Sequence, residues 1–155
     1  MESELKNLLE ERAISNQLSR LARILDTRKW EDLKNIYTED VVFSYPGEEE
    51  KQGVDAIQED LEAFFLNCGP TQHMLSGDLI TTFEDGKAIS SVYAQAVHQG
   101  KDEYAHLFYN AYGAYEDEWI KQGDQWKIAK RRFRIFQVQG DIRAMGTSKT
   151  ISTDK

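Results

Sequence analysis

From about Leu5 to Asp26, the apolar residues Ile14, Leu18, Leu21, Ala22 and Leu25 recur at helical spacing, which predicts an amphipathic first helix with one face for burial. The polar break DTRK interrupts it, and Trp30, Leu33 and Ile36 then predict a short second helix. In VVFSYP, Val41, Phe43 and Tyr45 alternate with Val42 and Ser44, the period of a strand, and Pro46 ends it. EEEKQG reads as an acidic, solvated loop. After Gly53, Ile57, Leu61, Phe64 and Phe65 form the stripe of a third helix that stops near Cys68-Gly69-Pro70.

The second half changes period. The turn signals EDGK, HQGKDEY and KQGDQW divide segments rich in Thr, Val, Ile, Tyr, Phe and Trp, predicting strands over Thr71–Glu84, Lys87–Gln99, Tyr104–Lys121 and Gln125–Gln137. The predicted order is α-α-β-α-β-β-β-β, an α+β domain over residues 1–140 with a long, mainly antiparallel meander. Residues 141–155 are polar and aperiodic, and are expected to form a flexible tail.

Alternation sorts residues by face without saying which face looks inward. His73 shares a face with Leu75, Leu79 and Phe83, which read as core. Ser90, Val92, Ala94, Ala96 and His98 share another, small enough to leave room. Tyr104, His106, Phe108, Asn110 and Tyr112 share a third, aromatic with polar tips. A sheet that curls under covering helices leaves a tapering space, and Trp30, Phe43, Phe64, Tyr93, His106, Phe108, Asn110 and Tyr112 are the expected ligand contacts there. Tyr109, Tyr115 and Trp119 fall on the opposite, convex face, which predicts a homo-oligomer, either trimer or dimer.

Composition narrows the partners. With 19 basic against 27 acidic residues the net charge is -8, which argues against nucleic acid and anionic membranes. No apolar run reaches membrane-spanning length, and MESELKNLLEER is a charged helix rather than a secretion signal, so a cytoplasmic location is expected. Cys68 is the only cysteine, leaving no disulfide or zinc framework. His98 and His106 can oppose each other across a hairpin, but two ligands are too few for zinc, so no metal is expected. Neither GxGxxG nor GxxxxGK occurs, and no cofactor is expected.

The phrases LDTRKWEDLKNIYTEDVVFSYPG, GVDAI, TQHML and YEDEWIKQGDQWKIAKRRFRIF, with their spacing, resemble the SnoaL-like branch of the nuclear transport factor 2-like superfamily across residues 5–140. That resemblance implies a cone-shaped α+β barrel. Within the branch the pattern is similar to scytalone dehydratase, bile-acid dehydratase and hexachlorocyclohexane dehydrochlorinase. In such enzymes an aspartate ending the first helix orients a histidine opening the first long strand, and Asp26 and His73 fall on those positions. Tyr45 matches a catalytic tyrosine and Arg134 an arginine of the branch. Leu21 and Ala96 depart from it, standing where polar residues are expected. The implied activity is cofactor-independent elimination or isomerisation of a small, apolar, cyclic metabolite. Non-catalytic binding in the same cavity, or an oligomerisation or docking role, are the other functions the branch allows.

The residues themselves suit that chemistry. An imidazole takes and returns protons near neutral pH, and a carboxylate on one nitrogen leaves the other basic. On a helical wheel Asp26 lies about 80° from Leu18 and about 40° from Ala22, at the rim of the buried stripe. Asp26 equally suits an N-cap before RKWEDL, and His73 a core position. Alternation puts Arg132 and Arg134 on the face of Trp126 and Ile128, unless a bulge reverses the phase.

Overall fold

A computed structural model describes residues 1–147 and 152–154. Helix α1, Glu2–Thr27, buries the predicted stripe and also Gln17, whose amide donates to the carbonyls of Asn35 and Trp126 at 2.9 and 2.8 Å. The second helix is a 3-10 turn, Trp30–Asn35. Strand β1 spans Tyr37–Ser44, β2 Lys51–Gln52, helix α2 Val54–Phe65, then β3 Cys68–Thr82, β4 Lys87–Gly100, β5 Phe108–Gln122 and β6 Gln125–Gly140. β2 corrects the expected loop: Lys51 and Gln52 pair with Phe43 and Val42.

The sheet order is β2-β1-β6-β5-β4-β3. Only β1 and β6 run parallel; every other neighbouring pair is antiparallel. Three helices therefore cover a curved, mainly antiparallel sheet, the cone-shaped α+β fold expected. Pro70 sits on β3, the edge strand, where a missing N–H costs no ladder bond.

Bulges bend the strands and decide which side chains face inward. Pairing of β3 with β4 shifts between Ser76 and Leu79, at Gly77 with φ 73°. Past this bulge Ile80 packs on the core, whereas Leu79 is 75% and Phe83 49% exposed, so neither shares the inward face of His73. On β6 a shift around Ala129 reverses the phase set by Trp126 and Ile128 and turns Arg131 and Phe133 inward. Arg132 and Arg134 thus leave the face assigned to them. A second shift lies at Tyr112/Gly113, where a Cβ on Gly113 would stand 1.7 Å from the Arg134 carbonyl oxygen; only glycine admits that approach.

β5 also begins later than predicted. A 3-10 turn, Asp102–Tyr104, occupies its expected start, and Asp102 adopts φ 52°. Its alternation against β4 is unbroken, and the face turned inward is that of Tyr109, Ala111, Gly113 and Tyr115, opposite to the expected set. Tyr109, Tyr115 and Trp119 are 4%, 9% and 1% exposed, which removes them from the convex surface and from any oligomer argument. Large apolar side chains exposed elsewhere on the sheet include Met74, Tyr93 and Phe108.

Beyond residue 140 the chain still contributes to the core: a 3-10 turn, Ile142–Met145, buries Ala144 and Met145. The Asp154 N–H donates to the Ile135 carbonyl at 2.7 Å. The remainder of the expected tail, residues 148–151 and 155, lies outside the described residues. No described helix is long and apolar enough to cross a membrane.

Candidate active site beneath the curved sheet

The end of α1 docks against the start of β3 through one polar cluster. Asp26 Oδ1 lies 2.7 Å from Nδ1 of His73, and Asp26 Oδ2 accepts the His73 backbone N–H at 3.0 Å. The Thr71 hydroxyl donates to Asp26 Oδ1 at 2.9 Å and accepts from the Arg28 guanidinium at 2.8 Å. Arg28, the left-handed C-cap of α1, also donates to the carbonyls of Gly69 (2.9 Å) and Leu25 and lies 4.4 Å over the Phe65 ring. The 3-10 turn that follows has no side-chain cap, so Asp26 is committed to β3 rather than to an N-cap.

Burial opposes the charged form of Asp26, but the His73 ring, the His73 N–H and the Thr71 hydroxyl together hold its carboxyl below the usual carboxylate range. A carboxylate only accepts, so Nδ1 of His73 carries the hydrogen and Nε2 carries the lone pair. His73 is 9% exposed and lines a cavity of about 730 Å³ under the concave face. Aromatic side chains from several elements share that lining, including Phe64, Phe65, Tyr109, Tyr115 and Phe133.

Two further polar groups stand on the wall: Arg131, which the sequence did not single out, and His98, which it placed on a face of small residues without a role. Arg131 donates through Nε and Nη2 to the two oxygens of Asp117 at 2.6 and 2.7 Å, and through Nη1 to the Tyr37 hydroxyl at 3.0 Å. Its guanidinium lies 4.1 Å over the Tyr115 ring. Burial alone would lower its proton affinity, but Asp117 outweighs that and keeps Arg131 firmly protonated. His98, beside His73 across the β3–β4 ladder, has Nδ1 2.7 Å from the Tyr109 carbonyl oxygen. The bulge near Ala129 is the signal that identifies Arg131, and no composition rule announces it.

Of the residues expected to act, Asp26 and His73 meet, and Tyr45 joins the same wall. The Tyr45 ring stacks on Phe133 at 4.6 Å, and burial pushes its phenol well above its ordinary proton affinity, so it is a neutral donor. Arg134 reaches only the rim, where its guanidinium pairs with Glu116 at 3.1 Å and Asp154 at 3.6 Å. Among the expected ligand contacts Phe64 and Tyr112 line the cavity. Trp30 sits behind it, stacked on Phe65 at 5.7 Å, and Phe43 is fully buried core against Tyr45. Tyr93 and Phe108 are 66% and 46% exposed, and His106 is exposed on the turn before β5 whereas His98 is buried. Asn110 has its Oδ1 buried without a partner and does not line the cavity. The late start of β5 leaves His106 outside the strand, whereas Phe108 and Asn110 lie within it on the face opposite Tyr109 and Ala111.

The family model of the SnoaL-like domain matches residues 6–132. The chain belongs to the SnoaL-like family. Similar solved structures include a candidate scytalone dehydratase from Novosphingobium aromaticivorans DSM 12444, 25% identical with a TM-score of 0.80, covering 94% of this chain and 93% of that one. A protein from Kribbella flavida is 18% identical with a TM-score of 0.79, covering 88% and 96%. The LinA-type3 hexachlorocyclohexane dehydrochlorinase of Novosphingobium barchaimii LL02 is 13% identical with a TM-score of 0.74, covering 96% and 97%. No curated protein matches the sequence of this SnoaL-like chain.

Proposed function

We propose that this SnoaL-like protein is a cofactor-independent lyase or isomerase in which His73 is the base and Asp26 orients it. The observation that carries the reading is the 2.7 Å contact between Asp26 and His73 on the wall of a cavity of about 730 Å³. His73 Nε2 takes a proton from a carbon beside a carbonyl, and the C–H electron pair forms the new double bond. The leaving hydroxide departs with a proton returned by the imidazolium, as water; in isomerisation the proton returns to another carbon. Asp26 stabilises the transient imidazolium, which general-base catalysis converts into roughly 10²–10⁴-fold in rate. Negative charge developing on the carbonyl oxygen is met by the neutral phenol of Tyr45.

Support also comes from the dehydratase and dehydrochlorinase names among structures of the same fold. Non-catalytic binding is the second reading, favoured by the apolar Leu21 and Ala96 where related enzymes carry polar groups. A homo-oligomer, if formed, uses the face bearing Met74, Tyr93 and Phe108, and sedimentation velocity reads it. A panel of cyclic β-hydroxy ketones in heavy water separates the two functional readings. The wild type should eliminate water from a member, or exchange its α-hydrogen for deuterium, at a rate roughly 10²–10⁴-fold above His73→Asn. Binding without elimination or exchange leaves only the second reading.

A further inference from the structure

Arg28 sits where the backbone favours a glycine. Among the described residues only Arg28 and Asp102 combine a side chain with a positive φ, and Arg28 does so at 59° as the C-cap of α1. Glycine adopts that conformation without strain, so an arginine there points to a role for its side chain. The guanidinium folds back against the start of β3, giving one N–H to the Gly69 carbonyl at 2.9 Å and another to the Thr71 hydroxyl at 2.8 Å.

The contact with Thr71 fixes the place of a hydrogen. A free hydroxyl rotates toward whichever acceptor is near, but a guanidinium only donates. Thr71 Oγ1 therefore accepts from Arg28, and its single hydrogen is left for Asp26. It meets Oδ1 at 2.9 Å, the same oxygen that lies 2.7 Å from Nδ1 of His73, while Oδ2 takes the His73 backbone N–H at 3.0 Å. Three donors from β3 thus hold one carboxylate against rotation. The Asp26 side chain is 23% exposed, so water competes for it wherever one of these donors is lost. The cavity lining includes His73 but not Arg28, Thr71 or Asp26, so these three act on a ligand only through the imidazole.

We propose that Thr71 and Arg28 are positioning residues acting in series: Arg28 turns the Thr71 hydroxyl onto Asp26, and that hydrogen bond aims the Asp26 carboxylate at Nδ1 of His73. Removing either link loosens the same contact, and removing both loosens it no further. The consequence for turnover rests on the reading of His73 as the base.

The test reads exchange of the His73 Nδ1 hydrogen with water, by ¹⁵N-edited magnetisation transfer in the full chain without ligand. Thr71→Val keeps the shape and the strand preference and loses only the hydroxyl. Arg28→Gly keeps the left-handed backbone and loses the guanidinium, and Arg28→Asn, also tolerated there, serves if the glycine variant does not fold. Each should speed exchange about ten-fold, the effect of one lost hydrogen bond, and Thr71→Ser should restore the wild-type rate. Thr71→Val combined with Arg28→Gly should match Thr71→Val alone. Unchanged exchange in either single variant, multiplied effects in the double variant, or an equal speed-up of buried backbone N–H groups on β5, the mark of a merely structural role, each overturn the proposal. Dehydration of cyclic β-hydroxy ketones, 3-hydroxycyclohexanone first, is read separately, and kcat should fall about ten-fold in Thr71→Val with KM unchanged. The expected exchange pattern in a wild type that dehydrates none of them upholds the positioning and sinks the catalytic reading. A kcat that survives loosened exchange overturns this inference and leaves the base assignment intact.

Discussion

Two ion pairs inside this domain make opposite uses of the same kind of contact. Arg131 and Asp117, on neighbouring strands, are 1% and 0% exposed, and both carboxylate oxygens meet the guanidinium while Tyr37 takes a third N–H. Asp26 and His73 join a helix end to a strand, Asp26 is 23% exposed, and one ring nitrogen stays open to the cavity. The first pair is closed on itself and holds two strands in register. The second is satisfied on one side only, and the unsatisfied side is where chemistry can occur. Buried charge is therefore no guide to reactivity here; an unspent lone pair is.

The contrast is sharpest if one partner is removed from each pair. Asp117→Ala leaves a buried, uncompensated guanidinium and should cost about 3–5 kcal/mol in urea unfolding, with most of it recovered when Arg131→Met and Asp117→Leu are combined. A loss below about 1 kcal/mol would show that water reaches Arg131 and that the pair is not sealed. Asp26→Asn should instead leave stability within about 1 kcal/mol while turnover falls roughly 10²–10⁴-fold, and ¹⁵N shifts should show His73 losing its single tautomer. Unchanged tautomer populations would separate Asp26 from any orienting role.

His98 extends the comparison to pH. Its folded-state proton affinity is depressed to about 4 from the ordinary 6.5, so between these values the unfolded chain holds a proton that the folded chain does not. Stability should fall as pH drops through that window, by about 3 kcal/mol in full, and the difference between wild type and His98→Phe should carry this slope. A difference flat from pH 6.5 to 4 would mean the imidazole is solvated. The smallest effect belongs to Tyr45→Phe, which keeps the stack on Phe133 and loses one donor. Turnover should fall about ten-fold with stability unchanged to within about 0.5 kcal/mol. An unchanged rate would remove Tyr45 from the chemistry.

Element order was legible because each segment follows one period: the α1 stripe from Ile14 to Leu25 and the strands from β3 to β6 lie close to where spacing puts them. The pairing of Asp26 with His73 was anticipated from the match of TQHML and RILDTRKW to a family pattern, as spacing alone left an N-cap equally open. Faces were not legible wherever a strand slipped phase. Gly77 and Ala129 each offset the alternation by a residue and sent a set of side chains to the other side of the sheet, Leu79 and Phe83 outward and Arg131 inward; in β5 the alternation runs unbroken, and the face of Tyr109 and Tyr115 rather than that of Phe108 and Asn110 turned inward.

By itself the sequence determined the elements and their order, since propensity and periodicity act over a few neighbouring residues, and its resemblance to a family pattern pointed to the helix-end aspartate and the strand-borne histidine. Which residues share the cavity was decided only in three dimensions. A bulge costs little locally but inverts everything beyond it, and its place is set by packing against strands distant in the chain, so Arg131 rather than Arg134, and His98 beside His73, emerge only once the sheet has closed.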